Sequence, residues 1–351
     1  MRKQGLDPCT AACAICLEGP LDRALLEQAL GRVAERHEIL RTTFRLLEGM
    51  KVPLQVVEEP GTQSPRLVLL DEPDLEPDQI LARLEEWACA EPFDLDRGPC
   101  LRALLAGCSA TVHLLGLALP ALCCDEAGLA GLVRDLGLCY AAGPGAGPPG
   151  EEIPQYIDLA EVFNQIAESE DTRAGRQRWA GVQASGAERL PFEGGVAGTS
   201  RFTPRVSVTR LGKGETSALE DLAREHQSSV EAVLLTCWQV LLWRLSGGSP
   251  PLLGVRCSGR TFAGLEHGIG LFARYLPLRP ELAGELGFDQ ALQQVGRALA
   301  EAVKWQDYFL RSGAGEEPQA WACAFERVEP APVTRAGGLE WRVAARRVCI
   351  D

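Results

Sequence analysis

The sequence predicts an α/β protein built as two lobes with mixed sheets. Three observations predict it. Stretches with apolar residues at helical spacing alternate with short apolar runs along the chain. A Gly/Pro run, Gly143-Pro144-Gly145-Ala146-Gly147-Pro148-Pro149-Gly150, interrupts that alternation and marks a linker. The 351 residues, 46% of them hydrophobic, suffice for one very large core or two lobes.

The elements follow in order. Leu21 to His37 reads as an amphipathic helix, with Leu21, Leu25, Leu26, Ala29, Leu30 and Val33 at helical spacing and Asp22 in the opening turn. Phe44 to Leu47 and Leu54 to Val57 read as strands around a turn at Glu48-Gly49, and Val68 to Leu70 as a further strand. Pro77 to Cys89 is helical, with Ile80, Leu81, Leu84, Trp87 and Ala88 on one side. Leu101 to Leu105 and Val112 to Leu119 are apolar strands, and Ala127 to Ala141 is a helix. After the linker, Tyr156 to Trp179 is a charged helical segment. Ser217 to His226, Val230 to Leu245 and Phe288 to Trp305 are helices, and Leu252 to Val255 is a buried strand. The boundaries expected are a first lobe over 1–142, a linker and crossover helix over 143–199, and a second lobe over 200–351.

Composition removes several function classes. A net charge of -13 without any Lys/Arg run argues against a nucleic-acid surface. No apolar run of about 18 residues is present, so no membrane span is expected. The start, Met1-Arg2-Lys3-Gln4-Gly5, has no apolar stretch behind it, so the expected setting is cytoplasmic. The 13 cysteines are odd in number and scattered, which suits small buried apolar residues better than a disulfide framework.

Several blocks occur in a telling order. Glu18-Gly19-Pro20-Leu21-Asp22 precedes Arg36-His37-Glu38-Ile39-Leu40-Arg41-Thr42-Thr43-Phe44. Pro92-Phe93-Asp94-Leu95, with Gly98-Pro99 and Leu101-Arg102, leads into His113 to Leu119 and then Pro120-Ala121-Leu122-Cys123-Cys124-Asp125-Glu126. Gly254-Val255 with Gly259-Arg260, Ile269-Gly270-Leu271-Phe272-Ala273-Arg274-Tyr275-Leu276-Pro277-Leu278-Arg279 and Trp305-Gln306-Asp307-Tyr308-Phe309 follow. Together they resemble the condensation domains of nonribosomal peptide synthetases. The resemblance implies two chloramphenicol-acetyltransferase-like lobes in a pseudo-dimeric arrangement. It implies an additional helix before a strand near Ala12 to Leu17 and further elements past Asp351, so the fold is expected to be incomplete at both ends.

The resemblance also locates a site. The family carries His-His-x-x-x-Asp-Gly where this chain has Pro120 and Ala121, with Asp125 retained and Glu126 in the glycine position. The second histidine is the one given a catalytic role, as base or as positioning group for the attacking amine. An alanine methyl neither accepts nor donates a proton. The family reaction joins a carrier-bound acyl thioester to a carrier-bound amine. Loss of the histidine implies an inactive centre, and the residual function expected is binding of a carrier protein or adjacent synthetase module. Phosphopantetheine then belongs to the partner carrier, and no cofactor or metal to this chain. Asp125 is expected to hold the loop, with Arg260 as partner from the facing lobe and Arg41 as a further structural residue.

Other readings stay open. Cys123 and Cys124 flank the altered motif, and a thiolate there would make an acyl-enzyme by exchange, although Asp125 and Glu126 would raise the thiol pKa. A residual acyltransferase working by positioning and a decayed or partial gene product are the remaining alternatives. Cys9, Cys13 and Cys16 have the spacing of a cluster-binding loop, but Cys13 to Leu17 fits the first strand, which would place Cys13 and Cys16 on opposite faces. Carrier proteins are usually acidic, so docking needs a local basic patch. Arg342, Arg346 and Arg347 are candidates, against the plainer reading of a solvated strand. His37 is expected to pack or cap, His113 lies too early to replace Ala121, His226 ends a helix, and His267 sits in a Gly-rich loop as the histidine with most scope for a site role.

Overall fold

A computed structural model of the protein describes residues 10–50, 53–70, 75–146, 153–169, 172–183, 207, 209–248, 251–266, 268–309, 323–328 and 333–348. The strands are β1 (Thr10–Glu18), β2 (Thr42–Arg45), β3 (Leu54–Val57), β4 (Leu67–Leu70), β5 (Arg102–Gly107), β6 (Val112–Pro120), β7 (Leu253–Cys257), β8 (Arg274–Leu278), β9 (Cys323–Phe325), β10 (Thr334–Ala336) and β11 (Leu339–Val348). The helices are α1 (Arg23–Arg36), α2 (Pro77–Ala90), α3 (Glu126–Ala141), α4 (Tyr156–Glu168), α5 (Arg173–Gln183), α6 (Lys213–Glu225), α7 (Val230–Leu245) and α8 (Phe288–Lys304).

Two compact units emerge. One comprises Met1–Val162, Arg260–Phe272 and Glu329–Asp351, the other Phe163–Gly259 and Ala273–Val328. The described residues of 260–272 and 333–348 group with the first unit. The physical reason for the latter segment is sheet completion: β11 pairs antiparallel with β1 from Ala11↔Val348 to Glu18↔Glu340.

The first unit holds a sheet in the order β10-β11-β1-β6-β5-β4, with β4 and β5 parallel and β1, β6 and β11 antiparallel. One face is covered by α1 and α3 over Ile15, Leu17, Leu115, Leu117 and Leu119. The other carries α2, whose Ile80 and Leu84 cover Ala14, Cys16, Leu104 and Leu114. Cys13 and Cys16 therefore lie on opposite faces of β1, which no single cluster-binding loop allows; Cys9 lies outside the described residues. Asp22 is the N-cap of α1, its carboxylate accepting from Leu25 N at 3.1 Å.

In the second unit β7 pairs antiparallel with β8 and parallel with β9, and Leu235, Leu242 and Val295 from α7 and α8 pack on Leu253, Val255 and Leu276. The single helical segment expected over Tyr156 to Trp179 is two helices. Thr172 N and Oγ1 both donate to Ser169 O, at 3.3 and 2.6 Å, a local turn that competes with the helical ladder. Among the described residues no helix is long and apolar enough to cross a membrane.

Candidate functional site

Strand β6 delivers the altered motif. Pro120 is its last residue and stands opposite Thr10 of β1. A proline suits this end, where the ladder stops. A tight turn follows, with Cys123 N donating to Pro120 O at 2.8 Å. Ala121 is only 2% exposed, while Leu122 points out. Asp125 then caps α3, its Oδ1 accepting from Gly128 N at 2.8 Å.

Asp125 is 1% exposed and densely bonded. Arg260 Nη1 donates to Oδ2 and Nη2 to Oδ1, both at 2.8 Å. Phe272 N donates to Oδ2 at 3.0 Å, and Asp125 N donates to Gly270 O at 3.1 Å. Arg260 Nη2 also reaches Gly268 O at 3.0 Å, and its guanidinium lies over the Phe272 ring, 4.7 Å from the centroid. Both carboxylate oxygens are thus engaged with donors, the geometry of a clamp between the motif loop and residues 268–272. Gly270 is required there: a Cβ would fall 2.2 Å from the Tyr156 ring.

The sequence-derived residues separate into groups. Asp125 and Arg260 meet, and the partner belongs to the same unit rather than to a facing lobe. Arg41 acts elsewhere, donating to Glu58 O and, at 3.2 Å, to Glu38 Oε1, which fixes the turn before β2. Cys123 and Cys124 are fully buried. A hydrogen bond with Cys100, reinforced by burial, pushes the Cys123 thiol well up. Burial and then the Asp125 charge push up Cys124. Thiols so held carry little thiolate. Arg342, its side chain half exposed, pairs with Glu18 at 3.2 Å. Arg346 lines a cleft beside α2, and the Arg347 side chain and His267 lie outside the described residues.

His113 stands at the start of β6 opposite Leu17, and His226 lies 3.6 Å from Asp289. His37 is buried, its Nε2 2.8 Å from Asp135 Oδ2. Asp135 itself escaped the sequence reading, since a lone acid between Leu132 and Leu136 carries no periodic signal. The contacts of Gly268, Gly270 and Phe272 with the clamp also escaped it, because that block was legible as a block but not by partner.

A strand running into an Asp-capped helix, within a mixed sheet covered by helices on both faces, defines a chloramphenicol-acetyltransferase-like α/β protein. The condensation domain family model matches residues 8–312, and the chain belongs to that family. Its relatives include chondramide synthase of Chondromyces crocatus, 33% identical over 301 residues, and tyrocidine synthase 3 of Brevibacillus parabrevis, 29% identical over 297 residues. These matches cover 83% and 84% of this chain but 8% and 4% of those much longer proteins. The first condensation domain of the CDA synthetase superposes with a TM-score of 0.78 at 20% identity, covering 97% of this chain and 81% of that one. The X-domain from teicoplanin biosynthesis gives 0.76 at 22%, covering 98% and 79%. At these identities the structural likeness is one of fold.

Proposed function

We propose that this condensation domain does not form amide bonds through the family's histidine and instead binds a carrier protein or a neighbouring synthetase module. The observation that carries this reading is an intact clamp around an emptied centre. Asp125 keeps its cap, its Arg260 fork and its bonds to Gly270 and Phe272, while the two positions before it hold Pro120 and a buried Ala121. The clamp holds the loop in place, while an alanine methyl neither accepts nor donates a proton. Among proteins of this fold, the X-domain from teicoplanin biosynthesis is found in complex with OxyB, an example of the fold engaging a partner. The phosphopantetheine arm belongs to the carrier in this reading, and the setting is cytoplasmic. The thiol alternative is disfavoured, since Cys123 and Cys124 are buried with raised pKa values.

The test is intact-mass spectrometry of an aminoacyl carrier incubated with an acyl carrier and this protein, beside a Pro120→His/Ala121→His variant. No product from the unaltered chain is expected, together with measurable binding of phosphopantetheine-loaded carriers. Product from the unaltered chain, or no carrier binding at high micromolar concentration, overturns the reading.

A further inference from the structure

Three buried thiols lie at the altered motif: Cys123 and Cys124 in the turn after β6, and Cys100 two residues before β5. Two of them face each other. The β5–β6 register, Arg102↔Ala118, carried on by two residues sets Cys100 beside Pro120. The turn closed by Cys123 N on Pro120 O at 2.8 Å brings Cys123 back to the same strand end. The Cys100 and Cys123 thiols share a hydrogen bond, and both sit in the core cluster of the first unit. Cys100 Sγ is further held by Thr42 O of β2 at 2.9 Å.

Sulfurs in hydrogen-bond contact need only a small shift to reach the bonded separation of about 2.05 Å. Cys124 is turned toward the start of α3 instead. Its Sγ lies 3.3 Å from Asp125 O and 2.8 Å from where a Cβ on Gly128 would stand. The facing pair is buried but shallow: Leu122, next to Cys123, is 45% exposed, so the turn itself is at the surface. An oxidant the size of water needs a smaller opening there than an alkylating reagent does.

We propose that Cys100 and Cys123 are a peroxide-responsive pair that closes into a reversible disulfide and pins the turn of the altered motif to the start of β5. The hydrogen bond with Cys123 lowers the Cys100 thiol against the opposing effect of burial, so Cys100 is the sulfur that yields a thiolate. Its attack breaks the O–O bond of hydrogen peroxide. One oxygen stays on Cys100 as a sulfenic acid, and the other leaves as hydroxide and takes up the thiol proton to become water. Cys123 Sγ then attacks the Cys100 sulfur, the S–O bond breaks, and the hydroxyl departs as a second water with the Cys123 proton. Two thiols lose two electrons and two protons, and one peroxide becomes two waters. In a reducing setting such a bond is transient and is undone by thiols, as in redox-sensing pairs. The inference holds whether or not the domain forms amide bonds.

The test treats the whole, fully reduced protein with excess hydrogen peroxide under native conditions. Remaining thiols are then alkylated in urea, and unreduced peptides are mapped by tandem mass spectrometry, with fragmentation placing the bond. A Cys100–Cys123 cross-link should dominate the intramolecular products and disappear on treatment with dithiothreitol. Amide hydrogen exchange over residues 121–125 should slow several-fold in the oxidised protein. Cys100→Ser should abolish the cross-link and Cys124→Ser should leave it in place; the map of the unaltered protein reads the pairing even where a variant melts abnormally. Cys123 joined to Cys124 overturns the proposal, as does recovery of Cys100 and Cys123 as free thiols when the exposed Cys237 is fully oxidised. A Cys100–Cys123 link that leaves exchange of the turn unchanged also overturns it.

Discussion

Arg260 and Asp125, 135 residues apart, meet in a two-pronged ion pair with both N–O distances at 2.8 Å and side chains 6% and 1% exposed. The fork matches a guanidinium to a carboxylate, and the carboxylate also accepts two backbone N–H groups, from Gly128 and Phe272. Burial makes the pair a specifier of structure more than a source of net stability: its members satisfy each other only when the loop and residues 268–272 are in place. The clamp thus fixes the geometry around the motif without itself supplying chemistry.

Removing one member should therefore be severe. Asp125→Ala leaves Arg260 buried beside no acid and uncaps α3. It should cost about 3–5 kcal/mol in urea denaturation. Arg260→Lys keeps the charge but loses the fork, and should fall between wild type and Asp125→Ala. A neutral effect of Asp125→Ala would contradict the clamp.

Restoring the family residue should also be felt in stability. Ala121 is almost fully buried in a tight turn. An imidazole there overpacks the turn, and Ala121→His should lower stability by about 1–3 kcal/mol. Thermal melts of the single and double histidine variants measure it. A melt equal to wild type would mean that the space for the side chain persists.

The sequence exposed those elements whose signal is local. The stripe Ala291, Leu292 and Val295 marked α8 to within a residue of its observed end at Lys304, and the run Leu114 to Leu119 marked β6. What escaped depends on partners. Nothing near Arg342 announces that its strand joins β1, since the bond to Glu18 spans 324 residues. Strand β8 was legible as a family block but not as a strand, because Pro277 interrupts it; it is tolerated on an edge strand. Strand β9, three residues long, is too short for any periodicity to show. At the site, Asp125 and Arg260 could be read as partners, while the backbone groups of Gly270 and Phe272 that complete the clamp have no side-chain signature.

The cysteines allow a direct test of the emptied centre. Cys237 is exposed on α7, whereas Cys123 and Cys124 are buried with thiols pushed well up. Iodoacetamide should modify Cys237 before Cys123 and Cys124, which it reaches only when the unit opens, with rates that rise in urea. Peptide mapping of the alkylated protein reads this order. Rapid native labelling of Cys124 would revive the thiol mechanism.

Acid stability should report the second buried carboxylate. Asp135 of α3 receives His37 Nε2 at 2.8 Å, Arg36 Nε at 3.3 Å, and Arg134 through Nε at 3.0 Å and Nη2 at 2.8 Å. Burial alone would raise its pKa, but the His37 and Arg134 hydrogen bonds and charges outweigh burial and hold it at about 2 against an ordinary 3.8. A depressed acid stabilises the fold above its unfolded pKa, and the contribution is lost as pH falls through the folded value. The loss should thus run from about pH 4 down to about 2 and amount to about 2 kcal/mol. Asp135→Asn removes the term at every pH. Its urea midpoint should lie below wild type at neutral pH, and the two curves should converge toward about pH 2. Parallel curves over that range would mean that Asp135 keeps an ordinary pKa and that the α1–α3 contact rests on packing alone.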